Sequence, residues 1–174
     1  TLAVAGAELS VPPGELCVLM GLSGSGKSSL LRCVNGLNKV TRGRMIVRCD
    51  GQEVDVASCD EATLRKLRAD WVSMVFQQFA LMPWRTDADI LLMDEPFSAL
   101  DPLIRTHLQD ELLELQRRLK KTIIFVSHDL DEALKIGNRI VIMESGRIVQ
   151  VGTPEEIVTK PADDYVANFV AHVN

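Results

Sequence analysis

An α/β domain with a mostly parallel sheet is the fold this chain predicts, and three observations carry the prediction. Continuous apolar runs at residues 16–20, 90–93 and 122–126 are short enough for strands and apolar enough to be buried on both faces. Helical patterns alternate with these runs along the chain. Between the first run and the first helix stands Gly21-Leu22-Ser23-Gly24-Ser25-Gly26-Lys27-Ser28, which fits G-x-x-x-x-G-K-[ST] in the strand–loop–helix setting that motif requires.

The elements follow in order. Residues 2–11 read as an edge strand closed by the turn Pro12-Pro13-Gly14-Glu15. After the glycine-rich loop a helix begins at Ser29-Leu30-Leu31-Arg32, with Gly36 as its C′ residue. Residues 44–48 and 53–54 flank Asp50-Gly51, a hairpin signal. Ser58-Cys59-Asp60-Glu61 reads as a capping box opening a short helix through Leu64 and Leu67. Val72, Met74 and Phe76 then alternate in a strand ending at Gln77. Pro102 starts a long helix whose apolar stripe is Leu108, Leu112, Leu115 and Leu119. Another helix follows the 122–126 run and ends near Gly137. Ile140-Val141-Ile142-Met143 and residues 147–151 form a hairpin around Glu144-Ser145-Gly146, and Thr153-Pro154-Glu155-Glu156 caps a final helical region. An antiparallel strand portion is expected near the N-terminus.

Residues 1–174 are enough for one domain with a substantial core. A formal charge of -5 argues against a nucleic-acid partner held by phosphate neutralisation. The stretches 65–68 and 117–121 carry basic residues that read as solvated helix faces. Cys17, Cys33, Cys49 and Cys59 lack the spacing of a zinc site or a disulfide framework, so reduced thiols and a cytosolic setting are expected. No signal peptide and no run of ~20 apolar residues is present, so any membrane connection is expected to come through a partner.

The chemistry starts at the glycine-rich loop. Its backbone N–H groups can form a nest for phosphate that ends at a helix N-terminus. Lys27 would reach the β- and γ-phosphates of ATP, and the Ser28 hydroxyl would bind Mg2+. Asp94-Glu95 directly follows the 90–93 run, where open α/β sheets place their ligands. Asp94 would hold the metal and Glu95 would polarise the attacking water. His128, after the 122–126 run, could sense the γ-phosphate, whereas His107 and His172 read as structural. Gln77 ends a strand on the same ligand edge. Singly, Gln77 and His128 identify nothing; their placement beside the loop and the acid pair gives them weight.

Together these pieces resemble the nucleotide-binding subunit of ATP-binding-cassette (ABC) transporters, a P-loop NTPase. The stretches that carry the likeness are GLSGSGKSS, VFQQFALMP, ILLMDEP, SALD and VSHD, in the family's order. The resemblance implies that Gly21 through Ser29 bind the nucleotide and that Asp101, in the D-loop, belongs to the nucleotide site. It also implies that Ser28, Gln77 and Asp94 hold the metal, and that Glu95, His128 and Gln77 act in hydrolysis. Within the family, LLRCVNGLN, FALMPWRT, FSALDPLIR, SHDLDEAL and GRIVQVGTPEEIV look most like importers of glycine betaine, proline betaine or choline.

Two departures stand out. The family places a helical subdomain bearing its signature motif between the Q-loop and the Asp94 strand, yet here Trp84-Arg85-Thr86-Asp87-Ala88-Asp89 runs almost directly across. Either that region is deleted or a mobile subdomain is missing from these 174 residues; the second is expected. Relatives also stack adenine on an aromatic residue upstream of the loop, whereas none precedes Trp71 here, so an N-terminal truncation is expected too. Some relatives carry a C-terminal pair of regulatory CBS domains, and none is expected within these 174 residues.

The resemblance implies a head-to-tail dimer with a second copy, closing on two ATP and reopening after hydrolysis. It further implies transmembrane permease subunits as partners, a solute-binding protein indirectly, and a place on the cytoplasmic face of the membrane. Two other readings stay open: a soluble ABC ATPase without a transport role, and a non-catalytic nucleotide-binding module should the deletion be real.

Overall fold

The structure, a computed structural model, describes residues 3–76 and 88–171. Its centre is a sheet in the order β4-β5-β6-β1-β7-β8. Here β1 is Leu16–Met20, β4 Val72–Val75, β5 Ile90–Asp94, β6 Thr122–Val126, β7 Arg139–Glu144 and β8 Arg147–Gly152. The strands from β4 to β7 run parallel, and β8 returns antiparallel to β7. A separate antiparallel pair, β2 (Ile46–Cys49) and β3 (Gln52–Asp55), supplies the expected portion near the N-terminus. Its turn has Asp50 at φ 51° and Gly51 at φ 73°, the two left-handed residues of a type I′ turn.

Every residue of β1 is buried because the strand lies in the middle of the sheet. Leu16, Val18 and Met20 point to one face and Cys17 and Leu19 to the other. The first face packs against Leu112 of α3 (Pro102–Leu119), Leu130, Ala133 and Ile136 of α4 (Leu130–Ile136), Ile157 of α5 (Pro154–Thr159) and Val166 of α6 (Asp164–Ala171). On the second face, Leu31 and Val34 of α1 (Lys27–Val34) join Val47 and Cys49 of β2 and Trp71. α2 (Glu61–Lys66) runs into a π turn, Leu67–Trp71, that seats Leu67 and Trp71 in the same core.

Three expectations need correction. Residues 3–11 form no strand: Gly6 sits at φ 60°, which interrupts a ladder, and Pro12 and Pro13 have no N–H to donate. The segment instead lays Val4, Leu9 and Val11 on the second core, and Ala5 N–H bonds Gly146 O at 2.8 Å. The N-cap of α2 is Asp60, whose carboxylate accepts from Thr63 N–H at 2.8 Å. Ser58 is engaged elsewhere, with its N–H on Asp55 O and its hydroxyl on the Asp55 carboxylate, so it closes the hairpin. The buried stripe of α3 runs through Gln109, Leu112 and Gln116, while Leu119 is exposed. Gln116 turns inward because its amide Nε2 donates to Gly14 O at 2.6 Å.

Four other boundaries agree with expectation, whereas β4 ends at Val75, short of Phe76, and α1 begins at Lys27. Pro102 is at the start of α3, Gly36 takes φ 67° after α1, Gly137 caps α4, and Thr153 with Glu156 forms a reciprocal capping box on α5. The four cysteines are free thiols.

Candidate functional site

The carboxyl ends of three neighbouring strands, β5, β6 and β1, converge on one edge of the sheet, the edge where open α/β sheets bind ligands. From β1 comes the glycine-rich loop, from β5 the pair Asp94 and Glu95, and from β6 the turn Ser127-His128-Asp129. An open cleft of about 610 Å³ lies among them, lined by Ser23, Gly24, Gly26, Lys27, Ser28, Ser29, Glu95 and His128. Ala3 and the β7–β8 turn, Ser145-Gly146, close its far side.

The loop needs its glycines for space as well as for φ. Gly21 has φ 142° and Gly26 φ 99°, and a Cβ on Gly26 would lie 2.7 Å from Ala3 O. Gly26 is the N-cap residue of α1, so the first turn of that helix presents its free N–H groups toward the cleft. The Lys27 ammonium donates to Gly21 O at 2.7 Å and Leu22 O at 3.0 Å, folding back across the loop. Burial lowers its pKa from the ordinary 10.5, while the carboxylates of Glu95 and Asp94 pull the other way. Ser25 Oγ is buried without a hydrogen-bond partner, and Leu22 is exposed.

Asp94 is 7% exposed, and both of its oxygens are engaged. Ser28 Oγ donates to Oδ1 at 2.7 Å, and Arg32 Nη2 donates to Oδ2 at 3.0 Å. Two hard oxygen donors this close, one of them an anionic carboxylate, fit a magnesium ion, which takes one or two protein ligands and completes its shell with phosphate and water.

Glu95 sits at φ 48°, a left-handed conformation uncommon for any residue but glycine. Its N–H reaches across to Val126 O at 3.1 Å, continuing the β5–β6 ladder by one bond. The carboxylate stands 3.2 Å from His128 Nδ1. His128 itself is largely exposed to the cleft.

The structure thus brings Ser23, Gly24, Gly26 through Ser29, Glu95 and His128 to one cleft, with Asp94 directly behind Ser28. It does not bring Asp101 there: the Asp101 carboxylate caps α3, accepting from Leu103 and Ile104 N–H, each at 3.1 Å. Gln77, the segment Trp84 to Asp87 and His172 lie outside the described residues. Sequence reasoning missed Arg32 on Asp94 and the left-handed backbone of Glu95. Neither had a local signal, since one depends on the partner across α1 and β5 and the other on a turn geometry ordinarily given to glycine.

Comparisons with known proteins identify the family. The family model for the ABC transporter matches residues 4–122. The chain is 41% identical to the glycine betaine/proline betaine transport system ATP-binding protein ProV of Escherichia coli (strain K12), covering 100% of this chain and 57% of that protein. It is 42% identical to the glycine betaine transport ATP-binding protein OpuAA of Bacillus subtilis (strain 168), covering 100% and 55%. The chain therefore spans little more than half the length of these relatives. Each comparison runs over 233 residues against the 174 here, so 59 aligned positions have no residue in this chain. Among solved structures, the dimeric post-hydrolysis state of the ATP-binding cassette MJ0796 bound to ADP and Pi superposes with a TM-score of 0.77 at 23% identity, over 87% of this chain and 90% of that one. That likeness establishes the fold. With the phosphate loop, the acid pair and the histidine on one sheet edge, and with these relatives, the chain belongs to the ABC transporter family.

Proposed function

We propose that this chain binds Mg-ATP and belongs to an ATP-hydrolysing subunit that powers import of glycine betaine and related quaternary ammonium solutes, choline among them. The observation that carries the nucleotide reading is the Ser28–Asp94 pair at 2.7 Å, directly behind a loop whose N–H groups and Lys27 face a common cleft. The solute class rests on the named functions of the relatives. Transmembrane permease subunits and a second copy of the chain are the proposed partners, a solute-binding protein joins indirectly, and the proposed location is the cytoplasmic membrane face. No helix of the described residues is long and apolar enough to cross a membrane.

In this reading the loop N–H groups and Lys27 bind the phosphates, and Ser28 and Asp94 hold the metal. A magnesium ion held by Ser28 and Asp94 would offset the charge of the phosphates. Glu95 orients the attacking water and accepts its proton, while His128, 3.2 Å from Glu95, faces the terminal phosphate. Gln77 keeps the role at the metal that the resemblance implies for it; Asp101 belongs to the nucleotide site by the resemblance alone, its carboxylate being the cap of α3.

The test is calorimetric titration with Mg-ATP. Lys27→Ala removes a charged donor to phosphate and is expected to weaken binding about 10- to 100-fold. Asp94→Asn is expected to abolish the dependence of affinity on magnesium. Unchanged affinity in both variants would refute the reading. A second reading, a nucleotide-binding module without turnover, is favoured by the 59-position shortfall against ProV. It differs in one outcome: ATP binds, but no phosphate is released even in the presence of the permease.

A further inference from the structure

Among the described residues the exposed His128 ring makes its one polar contact with Glu95, so its backbone sets where the ring meets the cleft. What holds that backbone is therefore part of the site. Both residues flanking His128 are tied, directly or through one further side chain, to α3. On one side, Arg105 Nη1 donates to Asp129 Oδ2 at 3.0 Å. The Asp129 N–H in turn donates to Ser127 Oγ at 3.0 Å, and Asp129 Oδ1 accepts from Glu132 N–H at 3.1 Å as the cap of α4. On the other side, Ser127 Oγ donates to Glu132 Oε2, and Gln109 Nε2 of α3 donates to Glu132 Oε1 at 3.0 Å. Ser127 and Glu132 are buried, at 2% and 7% exposure. Arg105 and the residues of this turn also line a cavity of about 10 Å³ next to Glu95.

We propose that Arg105 is a positioning residue for His128: by bonding Asp129 it fixes the 127–129 turn against α3 and so sets where the imidazole meets the terminal phosphate. The inference rests on the nucleotide reading above. A surface ion pair between two helices would ordinarily contribute little. This one differs because Asp129 is adjacent to His128 and anchors the same turn through three separate hydrogen bonds.

The experiment compares Mg-ATP and Mg-ADP affinities for the 174-residue chain and for Arg105→Met, Arg105→Lys, Asp129→Asn and His128→Gln. ADP lacks the phosphate that His128 would meet, so the ATP-to-ADP affinity ratio isolates that contact. Losing a hydrogen bond to a charged group fully is worth about tenfold or more, so misplacing the ring should lower the ratio about five-fold in Arg105→Met, with ADP affinity held within about two-fold. Arg105→Lys, which keeps a charged donor, should restore most of the ratio. Asp129→Asn cuts the same ion pair while remaining a competent helix cap, and should match Arg105→Met.

A ratio unchanged in Arg105→Met and Asp129→Asn but lowered in His128→Gln overturns the positioning role. So does an equal loss of ATP and ADP affinity, which marks a structural ion pair only. If His128→Gln leaves the ratio unchanged, or the parent chain binds neither nucleotide, the site reading itself fails and this inference falls with it. Should Arg105→Met fail to fold by circular dichroism, Asp129→Asn decides.

Discussion

Two glycines of one loop predict unequal costs for the same substitution. A Cβ on Gly21 would lie 2.1 Å from Met143 O, against an ordinary contact of at least 3.4 Å. Met143 is fully buried in β7, whose neighbours are β1 and β8, so its carbonyl has nowhere to retreat. The φ of 142° at Gly21 adds backbone strain on the order of 1–3 kcal/mol for any other residue. Gly21→Ala should therefore cost upward of about 4 kcal/mol, a large share of the roughly 5–15 kcal/mol that holds a domain folded. Gly24 has φ 79° and nothing within 4 Å of its Cβ position, so Gly24→Ala should cost only about 1–2 kcal/mol. Urea denaturation followed by circular dichroism separates them. With a slope of about 2 kcal/mol per molar, Gly24→Ala should lose about 0.5–1 M in midpoint, and Gly21→Ala about 2 M or its native baseline altogether. Equal midpoints, or the larger loss at Gly24, would refute a close approach of β7 to the loop.

The remaining predictions concern strain and titration. Glu95→Gly should relax the left-handed residue at φ 48° and raise stability by about 1 kcal/mol, read as a higher urea midpoint, while any ATP turnover is lost. Burial, the main cause, pushes the Cys17 thiol up from 9.0 to about 12, and burial with the nearby Asp89 and Asp50 carboxylates does the same to Cys49. A thiol whose pKa is raised on folding contributes fully below its unfolded value and loses that contribution as pH rises toward the folded one. Urea midpoints should therefore hold to about pH 9 and decline between about 9 and 12, with a shallower decline in Cys17→Ala.

How much could be read in advance varied with how local the signal was. The strand before the phosphate loop, the loop itself and the acid pair after Met93 were legible because each is a contiguous run whose meaning depends on its immediate neighbours. The hairpin turns at Asp50-Gly51 and Ser145-Gly146 and the capping box at Thr153 were legible for the same reason. Residues 3–11 misled because alternation alone suggests a strand, but a strand needs a partner edge and unbroken φ, which Gly6 denies. Ser58 misled because its hydroxyl had a competing acceptor in Asp55. Leu119 misled because α3 turned Gln116 inward to meet Gly14 O, a partner 102 residues away in sequence.

Sequence alone determined the chemistry available to this protein: a nest of N–H groups, a lysine, a hydroxyl, two acids and a histidine, each following a predicted strand. Only the tertiary structure decided which of these meet. Strand order put β6 between β5 and β1, and this brought His128 to 3.2 Å from Glu95 and Ser28 to 2.7 Å from Asp94. It also decided that Asp101 caps a helix and that Arg32 and Arg105 hold the two acids on which the site turns, Asp94 and Asp129. The physical reason is that hydrogen bonds and ion pairs act over about 3 Å, whatever the separation along the chain, and only packing of the sheet and helices sets those distances.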